Sequence, residues 1–117
     1  MRCETIICKD GFTMSVQAGW ALYSSPRLDN AEVYSEVEVG YPNRYEPLFD
    51  PYFIGNELMH FDELQKEPWD NRQIYGYVPT MVVVLVCMKH GGIVSGDLPS
   101  GIQYITVELM ENSDESV

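Results

Sequence analysis

The sequence predicts an α+β fold: an antiparallel or mixed sheet of about five strands with one or two helices packed on one face. Three observations carry that expectation. Two segments, 12–18 and 31–39, alternate apolar and polar residues with the period of a half-buried strand. Asp10-Gly11 falls between two strand-like segments, where a tight hairpin needs positive φ. Residues 79–91 carry the start and stop signals of a helix between two further strand-like stretches. The order along the chain reads β-β-β-(α)-β-α-β. Residues 1–110 are expected to form a single domain, and the polar, acidic 111–117 a frayed tail.

Residues 3–8 (CETIIC) and 12–18 (FTMSVQA) are the first two strands, joined at Lys9-Asp10-Gly11. Phe12, Met14, Val16 and Ala18 share one face of the second strand, and Thr13, Ser15 and Gln17 the other. Gly19, Pro26 and Asp29-Asn30 punctuate 19–30 as a loop. AEVYSEVEV at 31–39 is the cleanest alternation in the chain. It turns Val33, Val37 and Val39 one way with Ser35, and Glu32, Tyr34, Glu36 and Glu38 the other, as a strand with one wet, acidic face.

Residues 40–55 hold three prolines and two glycines among five aromatics without visible period, the pattern of a long loop packed by its own aromatics. Asn56 to Lys66 suits a short helix with Asn56 as N-cap, Leu58, Phe61 and Leu64 on one face, and Pro68 beyond its end. QIYGYV at 73–78 is a strand. The next segment, PTMVVVLVCMKHGG, pulls two ways. Its valines favour a buried strand. Pro79 at the start, Lys89 and His90 in the last turn and Gly91 just beyond favour a helix over about 80–90, and the helix is the expectation. Residues 92–101 form a turn-rich connection, and IQYITVELM at 102–110 a last strand.

Charge narrows the function. Eighteen acids against seven bases give the 117-residue chain a net charge of −11. Binding to nucleic acid draws on basic side chains that release counterions, so direct nucleic-acid binding is excluded as an expectation, and an anionic membrane surface is disfavoured alike. The longest apolar run, Met81 to Met88, is eight residues, against about twenty for a membrane span. Cys3, Cys8 and Cys87 are an odd count without a CxxC pair, which argues for a reducing compartment. Glu4, Lys9 and Asp10 interrupt any signal-peptide core at the start. A cytoplasmic protein is expected.

Catalytic and metal chemistry find little footing. Cys87 and His90 are three apart and share a helix face, and Cys3 and Cys8 are further zinc ligands by residue type. Five residues apart on a strand, however, Cys3 and Cys8 point to opposite faces. Small core residues are the plainer reading, and neither metal nor cofactor is expected. No GxSxG, Gly-rich phosphate loop, HExxH or DxDxDG motif occurs. Glu36 and Glu38, about 6.6 Å apart along one strand face, have the residue type for acid–base work but lack a cleft in the sequence reading.

The region from Asp29 to Asp70 holds eleven acids and two bases, so it carries most of the net charge. Carboxylates repeating along a strand at such spacing resemble every second phosphate of a nucleic-acid strand. That surface suits a basic groove built for DNA or RNA; the plainer alternative is a solvated face that keeps the protein dispersed. Tyrosines interleave with the acids, and aromatics are what interfaces enrich. The expected partner-binding set is Glu32, Tyr34, Glu36, Glu38, Tyr41, Tyr45 and Glu46, with the glutamates raising encounter rate and the tyrosines supplying contact energy. Arg27, in a Pro-ordered turn, is expected to pair internally with a neighbour such as Asp29 rather than to anchor a ligand.

DGFTMSVQA, SPRLDN, VEVGYP, EPL, YGYVP, KHGGI and GDLPSGI, spread over about residues 9–102, resemble small proteins encoded by bacteriophages and prophages. The resemblance implies an accessory role in a phage setting and supplies no catalytic residue. Members often carry a more polar helix after the YGYVP-like segment, from which MVVVLVCM departs. Small acidic phage proteins are frequently inhibitors of bacterial defence, of the anti-CRISPR or anti-restriction type, whose targets present basic surfaces. The expected partner is therefore a basic nucleic-acid-binding host protein in the bacterial cytosol, such as a CRISPR effector or restriction subunit. The alternatives are a small metal-assisted hydrolase using clustered carboxylates, or a phage structural or adaptor subunit.

Overall fold

A computed structural model describes residues 2–56 and 72–102. Among these residues the fold is α+β. Six antiparallel strands form one open sheet: β1 (Ile6–Cys8), β2 (Thr13–Gln17), β3 (Glu36–Gly40), β4 (Phe53–Asn56), β5 (Gln73–Pro79) and β6 (Ile93–Ser95). Their spatial order is β4-β5-β3-β2-β1-β6. Helix α1 (Thr80–Lys89) and a 3-10 helix (Pro47–Tyr52) complete the described elements.

The first hairpin forms where Asp10-Gly11 places it. The Gly11 amide donates to the Cys8 carbonyl at 2.9 Å, the Phe12 amide donates to Asp10 Oδ1 at 2.9 Å, and Gly11 takes φ 92°. Phe12, Met14 and Val16 point into the core beside Val37, Val39, Tyr75 and Phe49. The other face of β2 is not wet as the alternation suggests: Ser15 and Gln17 are 8% and 7% exposed, under the N-terminal segment and the 19–30 loop. Gln17 satisfies its amide there by accepting from the Cys3 amide at 2.8 Å and donating to the Cys3 carbonyl at 2.8 Å.

The strand expected over 31–39 is shortened to Glu36–Gly40, and the face pattern fails in its first half. Val33 is 58% exposed, whereas Tyr34 is 5% exposed. Tyr34 is drawn in by specific partners: its hydroxyl donates to the Leu28 carbonyl at 2.6 Å, and its amide donates to the Ser100 carbonyl at 3.3 Å. Loop neighbours, not a ladder, decide the orientation of 31–35. In the strand proper the alternation holds, with Val37 and Val39 in the core and Glu36 and Glu38 on the opposite face.

The stretch 40–55 is more regular than a structureless loop. Glu46 caps the 3-10 helix by accepting from the Leu48 amide at 2.8 Å, Pro47 opens it, and the chain then pairs with β5 as β4. β6 lies inside the segment expected to be only turns, which brings the described sheet to six strands. The helix expected over 56–66 and the strand over 102–110 fall outside the described residues, apart from their ends, as does the tail 111–117.

Residues 80–89 are helical, so the punctuation outweighs the valines. Buried Val83, Val86 and Cys87 face the sheet. The end is a Schellman closure: the Gly92 amide donates to the Cys87 carbonyl at 2.8 Å and the Gly91 amide to the Met88 carbonyl at 3.1 Å, with Gly91 at φ 92°. The hairpin tip is latched onto this end. The Lys9 amide donates to the Gly92 carbonyl at 2.9 Å, and the Asp10 amide to the His90 carbonyl at 3.2 Å.

Candidate functional site

That latch assembles the densest group of ionisable side chains among the described residues. His90, the C-cap of α1, lies between two carboxylates: Nδ1 is 2.7 Å from Asp10 Oδ2 and Nε2 is 2.8 Å from Glu46 Oε1. Its ring stacks on Phe12 with centroids 4.1 Å apart and planes 10° apart. Lys89 Nζ approaches Glu46 Oε1 at 3.0 Å, and Arg44 Nη2 donates to Asp10 Oδ1 at 3.0 Å. Five side chains from the hairpin tip, the segment before the 3-10 helix and the helix end therefore form one chain of ion pairs.

Glu46 is 0% exposed. Burial by itself would lift its carboxyl, but the Leu48 amide, the Lys89 ammonium and the His90 ring favour the charged form and hold it below the ordinary range. For Asp10 the balance has the same sign: desolvation raises it, while hydrogen bonds from His90 and the Phe12 amide, with the charges of His90 and Arg44, lower it further. Both nitrogens of the His90 ring therefore lie within hydrogen-bond distance of a carboxylate oxygen. With each nitrogen engaged by a carboxylate, neither is open toward a substrate, and among the described residues no hydroxyl or thiol bonds the ring as a nucleophile would.

The nearby thiols lie in the core, away from solvent. Cys8 and Cys87 are buried and free, and their mutual contact together with burial pushes the Cys87 thiol upward. Among the described residues no three His, Cys, Asp or Glu side chains are grouped so as to hold a metal ion. The cluster is thus built as a lock between hairpin and helix.

The seven residues expected to bind a partner separate into two groups. Glu46 and Tyr34 leave the surface altogether: the first is consumed by the lock, and the second holds the 28–34 loop. These two assignments are corrected by burial. Glu32, Tyr41 and Tyr45 are exposed, and Glu36 and Glu38 are half-buried on the sheet face opposite α1. Tyr45 donates its hydroxyl to the Asp50 carboxylate, which raises the phenol above its ordinary range. Ser25 Oγ donates to Glu36 Oε1 at 2.7 Å. Glu38 and Tyr41 line a cavity of about 350 Å³ with Ser15, Gln17 and Asp29. Desolvation raises the Glu38 carboxyl, with the Tyr23 backbone amide opposing it.

Beside this cavity lies a group that the charge pattern did not single out. Trp20 is 64% exposed, and Tyr23, Tyr77 and Leu28 are exposed near it in chain or space. Tyr23 and Tyr77 meet edge to face with centroids 5.8 Å apart, and the Tyr77 amide donates to the Tyr23 carbonyl at 2.9 Å. Arg27 does not pair with Asp29. Its Nε donates to the Trp20 carbonyl at 3.3 Å and its guanidinium stands 5.5 Å from the Tyr23 ring centre. An aromatic residue inside a Gly- and Pro-punctuated loop was the available signal, because such a loop has few ways to bury an indole.

Ion pairing is uneven across the molecule. Asp10 and Glu46 are neutralised at the lock, whereas Asp29, Glu32, Glu36 and Glu38 have no Lys or Arg partner among the described residues. Fold and site together define a small antiparallel α+β domain with a closed ionic lock and an acidic, aromatic surface. Compared with protein-family models, with curated proteins and with solved structures, the chain matches none. Among the described residues no helix is long and apolar enough to cross a membrane.

Proposed function

We propose that this chain is a binding protein: a phage-derived inhibitor of bacterial defence, of the anti-CRISPR or anti-restriction type, that occupies a basic surface on a nucleic-acid-handling host protein. The observation that carries the reading is the pairing of un-neutralised carboxylates at Asp29, Glu32, Glu36 and Glu38 with the exposed Trp20, Tyr23 and Tyr77. Trp, Tyr and Arg dominate the energetics of interfaces, while exposed charge steers encounter. Both lie on or beside the sheet face of Glu36 and Glu38, and among the described residues the histidine-centred cluster is spent on structure.

Affinity capture from a bacterial lysate tests it. The chain is expected to recover a CRISPR effector or restriction subunit at low salt and to lose it at high salt, because screening removes the steering field. Glu32→Lys with Glu36→Lys is expected to abolish recovery. Recovery that is indifferent to salt and to that double substitution contradicts the surface assignment.

A further inference from the structure

We infer that the cavity between the β2–β3 face and the 19–30 loop receives the guanidinium of an arginine side chain from the basic partner. The inference rests on the binding reading above and adds to it the chemistry of one contact. The cavity, about 350 Å³, lies within the size range of ligand-binding clefts. Cross-strand pairing fixes its floor: Gln17 faces Glu38, and Ser15 faces Gly40, on adjacent strands. Gly40 contributes no side chain, and Ile74 fills the space beside it, its Cδ1 3.1 Å from where a Cβ would stand, as an apolar wall of the cavity.

Glu38 is the centre of the argument. It is half-buried, lines the cavity, and has no cationic partner among the described residues. A carboxylate held away from water without a counter-ion is destabilised, and an incoming cation relieves that cost. Asp29 lines the same space; its Oδ1 accepts from the Trp20 amide at 3.2 Å. Ser15 Oγ, with its residue 8% exposed, already takes one hydrogen bond, from Gln17 Nε2 at 3.0 Å, and keeps a second lone pair.

Several acceptors around one confined space suit a planar group with five N–H donors better than a compact ammonium, which is also more strongly hydrated. Tyr41 lines the cavity as well, and an aromatic beside a guanidinium adds attraction. Arg2 is the opposing charge: it lines the cavity too, and two carboxylates against one guanidinium leave the site negative.

Titration of the whole chain with N-acetyl-arginine amide, followed by NMR of the backbone amides, tests the inference. Saturable shifts are expected at Gln17, Glu38 and Gly40. The neutral isostere N-acetyl-citrulline amide is expected to produce none, and N-acetyl-lysine amide weaker ones. Glu38→Gln is expected to weaken the arginine probe at least about tenfold, since a charge-assisted bond is lost. Arg2→Ala is expected to tighten it. Should Glu38→Gln lose its dispersed spectrum, Asp29→Asn serves the same purpose from the rim. Absence of saturable shifts, an equal response to citrulline, or unchanged affinity in the variants would overturn the inference. The probe reads the cavity whether or not a host protein is captured, so its failure and that of the defence-inhibitor reading are distinguishable.

Discussion

Replacing Glu46 by alanine removes the central acceptor of the lock, and the cost follows from what is left behind. Both carboxylate oxygens are in use: Oε1 faces His90 Nε2 at 2.8 Å, and Oε2 accepts from the Leu48 amide at 2.8 Å. Lys89 is half-exposed at its side chain and recovers hydration cheaply. The His90 ring and the Leu48 amide do not, because the carboxylate they lose is itself wholly buried. Breaking a buried pair by removing one partner costs about 3–5 kcal/mol. A domain of this size has about 5–15 kcal/mol in all. At about 4 °C per kcal/mol for a chain of such length, the midpoint should fall by ~12–20 °C. Glu46→Gln keeps the shape and one acceptor, so its cost should be about 1–3 kcal/mol. Urea unfolding measures both, with an unchanged m-value expected if only stability has moved. A loss below about 1 kcal/mol for Glu46→Ala would refute the lock, since it would mean that the buried partners are satisfied some other way.

Four further outcomes follow from the same geometry. Because Asp10 and Glu46 are both held below the ordinary carboxylate range, the unfolded chain binds more protons between those depressed values and about pH 4.3. Stability is then complete above that window and falls as pH drops through it; Glu46→Gln should flatten the acid limb in a pH series of urea midpoints. Gly91→Ala places a Cβ 3.0 Å from Lys9 Cβ at φ 92°, and a loss of about 1–3 kcal/mol is expected by thermal unfolding. Tyr34→Phe should cost about 1 kcal/mol through the lost bond to the Leu28 carbonyl, whereas a surface tyrosine would cost nothing. Trp20→Ala with Tyr23→Ala should cost about 1 kcal/mol of stability, through the lost edge-to-face contact of Tyr23 with Tyr77, and weaken partner binding by ~2 kcal/mol or more, read by titration calorimetry on the captured partner.

Local signals in the sequence survive folding where their causes are local. Asp10-Gly11 needs only its own backbone to turn, and the Lys89-His90-Gly91 ending needs only the helix it closes, so both features appear in place. Residues 31–35 show the opposite. Their alternation is as regular as that of β3 itself, yet Tyr34 turns inward because Leu28 and Ser100 offer it partners, the second sixty-six positions away in sequence. Glu46 was equally opaque. One more glutamate in an acidic region reads as solvated, and its burial depends on a histidine 44 residues distant. The surface expected from charge alone accordingly loses Tyr34 and Glu46 and keeps Glu32, Glu36, Glu38, Tyr41 and Tyr45. Trp20 and Tyr23, by contrast, sit in a loop whose punctuation already made burial difficult.

Protection of phage in living cells is the most direct trial of the central claim. A phage restricted by a CRISPR or restriction system is plated on defence-proficient bacteria that express either this chain or its Trp20→Ala, Tyr23→Ala variant. Plaquing should recover with the intact surface and stay suppressed with the variant at equal protein level. Equal recovery with both chains, or none with either across such hosts, would contradict a defence inhibitor that works through this acidic and aromatic face.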